Sequence, residues 1–149
     1  MINALIIYRN KRRKLRKASD ATAELVRAGI SQFNGNISRW NLASATTTWA
    51  MFAYSKFNGD ISQWDVSHVM DMSWMFLESE FNGDISHWDV SHVTDMSWMF
   101  WKSKFDGDIS QWNISDKANL NRMFYCTALY EKDRLLREGL KFNQELKTE

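Results

Sequence analysis

The apolar positions of this chain fall into columns. From Phe57 it reads FNGDISQWDVSHVMDMSWMFLES, and 24 residues later FNGDISHWDVSHVTDMSWMFWKS. Phe33, Phe57, Phe81 and Phe105 form one column, and Trp40, Trp64, Trp88 and Trp112 a second. The pairs Met51-Phe52, Met75-Phe76, Met99-Phe100 and Met123-Phe124 form a third. Recurrence at such a period marks a stacked array, in which each unit buries its apolar face against its neighbours. The columns define four repeats, at 33–56, 57–80, 81–104 and 105–128. The outer two are degenerate: Ala50 and Arg122 stand where the inner two carry Trp74 and Trp98, and Asn36 stands where the others carry Asp60, Asp84 and Asp108. Atypical end units are expected where stacking stops.

Within one unit, Ile61, Trp64, Val66 and Val69 follow the rhythm of a leucine-rich repeat. A short strand over 63–67 is predicted, with Trp64 and Val66 pointing in and Gln63, Asp65 and Ser67 pointing out. Met72, Met75 and Phe76 lie at i, i+3 and i+4, the spacing of one face of a short helix. The return turn is Asn58-Gly59-Asp60, repeated as Asn82-Gly83-Asp84 and Asp106-Gly107-Asp108. Glycine is expected there for a backbone conformation that side chains resist, with Asn and Asp capping their own local amides. An Asn-Gly turn also suits a hairpin, but the helical spacing that follows favours a coil corner.

The predicted fold class is therefore an α/β repeat, a leucine-rich-repeat-like solenoid of four 24-residue strand–helix coils in a single domain. Helical caps are expected at both ends. In 1–32, Ser19 or Asp20 starts a helix through Ala21, Leu25 and Ala28 that stops at Gly29. In 129–149, Leu129, Leu136 and Leu140 form a helical stripe, with Asp133 and Arg137 one turn apart. That stripe is expected to shield the open edge of the last coil.

The string F-N-G-D-I-S-x-W-D-V-S-x-V-T-D-M-x-x-M-F resembles the repeat of the BspA-like bacterial leucine-rich-repeat surface proteins over 33–128. The resemblance implies a non-catalytic solenoid used for adhesion or protein recognition, usually on a secreted or anchored protein. Its motif names structural columns, so it carries over no binding residue.

Composition adds a soluble, aromatic-rich domain: 44% of the 149 residues are apolar and 25% charged. No apolar run reaches the roughly 18 residues of a membrane span. The opening Met1 to Tyr8 is apolar first and basic afterwards, the reverse of a secretory signal. The expected location is thus intracellular, or the cell surface if a leader precedes the native chain. The lone Cys126 rules out a disulfide framework within the chain and is expected to be a buried structural thiol beside Phe124 and Tyr125.

Charge is unevenly spread beneath a formal total of +1. Residues 1–32 hold eight Lys/Arg against two Asp/Glu, whereas 33–128 hold six against eleven. Arg9, Lys11, Arg12, Arg13, Lys14, Arg16 and Lys17 form a basic patch that points either to nucleic acid or an acidic protein surface, or to a solvated helix face.

Candidate chemistry is sparse. His68 and His92 share a column, with His87 in another, but no thiolate pair accompanies them and Asp116 follows in the same column, so solvent-facing roles are expected. The Asp60, Asp84, Asp108 column and the Asp65, Asp89 column lack the glycine-dense calcium nonapeptide and the acidic loop closed by Glu, which leaves turn capping. No catalytic residue, metal or cofactor is assigned.

Two surfaces are binding candidates. The outward strand row comprises Arg39, Gln63, His87 and Gln111 beside Asn41, Asp65, Asp89 and Asn113; such rows serve as recognition faces in solenoids, and equally vary when unconstrained. The aromatic flank comprises Trp49, Trp74, Trp98 and Trp101, which form either an intramolecular ladder or a partner hot spot. The expected function is a small protein-binding adaptor or inhibitor, of the compact kind that a phage or mobile element encodes, with a protein partner. A surface adhesin module and a nucleic-acid-associated protein, or blocker of a nucleic-acid groove, are the alternatives. Monomer and homodimer both remain open.

Overall fold

The computed structural model describes residues 32–127, and the expected end caps and the basic patch lie outside these. The described chain winds in 24-residue coils, each stacked on the next with its columns in register. Single parallel bridges join Thr47 to Asp71, Asp71 to Asp95 and Asp95 to Asn119. Among the described residues there is no helix, and no strand longer than these bridges. The α/β class is therefore wrong: the coil is built from consecutive turns.

The distribution of backbone amides explains why turns replace the helix. The amides of Met75, Leu77 and Ser79 donate back within their own coil, to Met72, Trp74 and Phe76 at 3.2, 3.2 and 3.1 Å. The intervening amides of Trp74, Phe76 and Glu78 donate forward to the next coil, to Ser97, Met99 and Trp101 at 3.0, 2.9 and 2.8 Å. A helix directs its amides back along its own axis and would leave the neighbouring coil's carbonyls without donors, a heavy penalty for buried backbone. The alternation satisfies both coils. It requires residues with left-handed backbone, and two columns supply them: Ala50, Trp74, Trp98 and Arg122 at φ 52, 62, 59 and 55°, and Tyr54, Glu78, Lys102 and Cys126 at φ 59, 48, 50 and 58°. Met72, Met75 and Phe76 are all buried, so their helical spacing is met by turns that bring the same three side chains inward.

The segment 63–67 forms no strand, yet its alternation is as expected: Trp64 and Val66 are buried while Gln63 and Asp65 are exposed. The core is a set of aromatic stacks. Trp40, Trp64 and Trp88 succeed one another at 6.5 Å with nearly parallel rings. Each indole N–H finds a carbonyl in the preceding coil: Trp64, Trp88 and Trp112 donate to Ile37, Ile61 and Ile85 at 3.1, 3.2 and 2.9 Å. Phe57, Phe81 and Phe105 stack at 6.1 and 6.2 Å, and each leans at 4.2 Å on the Phe of the preceding Met-Phe pair. Burying a large aromatic stabilises by a few kcal/mol, and each ring pair adds about 1 kcal/mol beyond area.

The glycine column works by space. No glycine among the described residues has positive φ, which corrects the expectation of a special backbone conformation. A Cβ at Gly83 would stand 2.9 Å from two ring carbons of Phe81, and one at Gly59 2.8 Å from Phe57. Asn and Asp in that turn also divide their work. Asn34, Asn58 and Asn82 offer Oδ1 to the amide of Asn58, Asn82 and Asp106 one coil on, at 3.0, 2.8 and 2.8 Å, forming a ladder between coils. Asp60 caps locally, its Oδ1 accepting from the amide and hydroxyl of Ser62 at 2.9 and 2.8 Å.

This Asp-x-Ser corner occurs three times in each of the two inner coils. Asp65 accepts from Ser67 and Asp71 from Ser73, and Asp84, Asp89 and Asp95 repeat the set. In the first coil Asn36 and Asn41 make equivalent corners. Hydrogen bonds from the serines hold the carboxyls of Asp60, Asp65, Asp84, Asp89 and Asp108 below the ordinary 3.8: for Asp60, Asp84 and Asp108 the backbone amide is the larger cause, for Asp65 and Asp89 the hydroxyl.

Two predictions follow from the packing and the corners. Gly83→Ala should destabilise by about 1–3 kcal/mol, the usual range for overpacking, because Phe81 is wedged between Phe57 and Phe105. Gly35→Ala should be better tolerated, because its neighbour Phe33 is 39% exposed and free to shift; chemical denaturation of both variants checks the contrast. The five depressed carboxyls add stability that is complete above the ordinary value of 3.8 and is lost as pH falls through their lower folded values. Thermal melting should therefore drop in acid, and the triple variant Asp60→Asn, Asp84→Asn, Asp108→Asn should flatten that drop while keeping the fold.

Candidate functional site

The outward row sits where the alternation placed it. Arg39, Gln63, His87 and Gln111 are exposed, as are Asn41, Asp65, Asp89 and Asn113. Part of this row is committed to structure. Asn41 caps the amide of Ala43 at 2.8 Å, and Asp65 and Asp89 accept hydroxyl donors from Ser67 and Ser91 at 2.6 Å. Gln63 and Gln111 donate from Nε2 to Ser62 and Ser110 at 3.3 Å. The row is thus a polar, largely self-satisfied strip, with Arg39 and His87 as its most distinctive side chains.

His68 and His92 are exposed, and His92 Nδ1 lies 3.1 Å from the Ser91 hydroxyl. Among the described residues no cluster of three or more His, Cys, Asp or Glu is placed to hold a metal ion. Cys126 is exposed rather than buried, on left-handed backbone at φ 58°.

The aromatic flank has a different character. Ala50, Ala53 and Leu77 form a small buried cluster separate from the main core, and Trp49, Tyr54, Trp98 and Trp101 pack on it. Trp74 meets Trp98 at 5.8 Å with rings tilted 33°, and Trp98 meets Trp101 at 5.5 Å with rings tilted 49°. The ladder is therefore real, and it is also an open surface: Trp74 is 38% exposed, and Trp98, Trp101 and Trp49 are only half-buried. Tyr54, packed on the same cluster, is likewise half-buried.

Cations complete this flank, which the sequence reading missed. Lys102 Nζ sits 4.2 Å from the centroid of the Trp101 ring, and the Arg122 guanidinium carbon 4.9 Å from that of Trp98. The available signal was positional: Arg122 continues the Trp74 and Trp98 column one coil on, and Lys102 follows Trp101 directly. The flank thus combines Trp, Tyr and Arg, the residue types that dominate binding energy at protein interfaces.

Among the described residues no helix is long and apolar enough to cross a membrane. No curated protein and no solved structure matches the chain. A family model described as "Mycoplasma protein of unknown function, DUF285" matches residues 22–136, most of the chain and all of the described coils, and the chain belongs to that family.

Proposed function

We propose that this protein is a non-catalytic binding module, a small adaptor or inhibitor that docks on a protein target through the flank of Trp49, Trp74, Trp98 and Trp101. The observation that carries this reading is the backbone beneath the exposed indoles. Trp74 and Trp98 occupy left-handed positions, at φ 62 and 59°, where a bulky side chain costs about 1–3 kcal/mol. Ala50 and Arg122 fill the same column in the outer coils, so the turn does not itself demand an indole. A strained site that presents a half-exposed aromatic is a feature associated with function.

The resemblance of the 24-residue string to BspA-like repeats fits a recognition role, and the family description leaves the activity open. The flank is favoured over the polar row because the row's Asn41, Asp65 and Asp89 are already engaged at corners.

The test is affinity capture with the full chain. Wild type should retain one dominant protein, and Trp74→Ala with Trp98→Ala should weaken its binding by at least about tenfold, roughly 1.4 kcal/mol at a hot spot. Melting should be little changed, since Trp74 lies outside the main core. Full retention of the partner by a folded double variant would remove this flank from consideration.

A further inference from the structure

We propose that the end of this flank formed by Trp98, Trp101, Lys102 and Arg122 is the seat for an acidic peptide segment of the partner protein, with an apolar residue of the segment packing on Trp74. The inference rests on the docking role of the aromatic flank and specifies the chemistry of what it receives.

Both cations are placed at a structural cost. Lys102 and Arg122 project from left-handed backbone at φ 50 and 55°, each over one ring of a Trp pair whose centroids are 5.5 Å apart. A π face steadies a cation but accepts no in-plane hydrogen bond, so the donors of the guanidinium and ammonium groups stay available to an anion. Among the described residues neither cation has a carboxylate partner; the ion pair there joins Lys104 to Glu80 at 3.4 Å. In the same column as Lys102 the preceding coil carries Glu78, so within these two left-handed columns the cations stand on the third and fourth coils. Two oriented cations beside a half-exposed Trp pair match a carboxylate next to an apolar side chain, with Arg122 able to take the carboxylate by two parallel hydrogen bonds.

The wider charge distribution selects a peptide over a nucleic acid. Residues 33–128 carry eleven Asp/Glu against six Lys/Arg, and the corner aspartates are held ionised by their serines. A polyphosphate running along such a body meets repulsion over most of its length. A short acidic segment covers far less of that body and can sit over Lys102 and Arg122.

The experiment uses the full chain and a fluorescein-labelled peptide alternating Glu or Asp with Leu, read by anisotropy and by quenching of tryptophan emission. The acidic peptide should bind, weaken as salt rises, and lose about tenfold or more in affinity on Lys102→Gln with Arg122→Gln, while Arg122→Lys loses less. Unchanged melting of the double variant separates lost binding from lost folding. Four results overturn the proposal: equal binding of a peptide with Gln at every acidic position, tighter binding of an oligothymidylate of the same length, no effect of the double variant, or binding only after Glu131→Gln and Asp133→Asn. The last would make the chain's own C-terminal segment the occupant. If the captured partner is lost with Trp74→Ala and Trp98→Ala but kept with Lys102→Gln and Arg122→Gln, the flank stands as the docking site and only its acidic specificity falls.

Discussion

Register between coils is the constraint from which the rest of this structure follows. Each coil presents the same side chain as its neighbour at the same place, so Trp meets Trp at 6.5 Å, Phe meets Phe at about 6 Å, and an Asn carbonyl meets the next coil's amide at 2.8 Å. A displacement of one residue would break all of these contacts together. The stack therefore behaves as a single interlocked object, in which stability belongs to the interface between adjacent units.

Register also dictates the unusual backbone. Coils must share amides with one another, and sharing every second amide excludes both a helix and a continuous sheet strand in 72–79. Among the described residues eight non-glycine positions adopt positive φ to do so. A buried serine column adds to these bonds: Ser55 donates its hydroxyl to the Phe52 carbonyl at 2.8 Å, and Ser55, Ser79 and Ser103 receive the amides of Phe57, Phe81 and Phe105. These serines sit deep within the stack and are tolerated because each is hydrogen-bonded.

The same backbone produces the candidate site. The left-handed columns carry the exposed Trp74, Glu78, Lys102 and Arg122, with the small Ala50 buried at the same place in the first coil. A small second cluster on Ala50, Ala53 and Leu77 anchors the indoles at their base and leaves their outer edges open. At Trp74 and Glu78 structure and display are coupled: their amides donate to the next coil while their side chains form the surface.

The amino-acid sequence alone determined the period, the columns and the inward set of Phe, Trp and Met side chains in the inner coils, because large apolar side chains recurring every 24 residues are buried against their copies; it did not mark the buried Ser55, Ser79 and Ser103 or the exposed Cys126. It also placed Trp74 and Trp98 on an outer flank. It did not determine the local backbone, since the i, i+3, i+4 spacing of Met72, Met75 and Phe76 fits a helical turn and a run of β-turns equally well. Only the tertiary structure decided between them, through the demand of neighbouring coils for amide donors, a demand that no local window of sequence contains. The pairing of Lys102 with Trp101 and of Arg122 with Trp98 was decided there too, because Arg122 reaches its ring from a different coil, and that distance in sequence closes only when the coils stack.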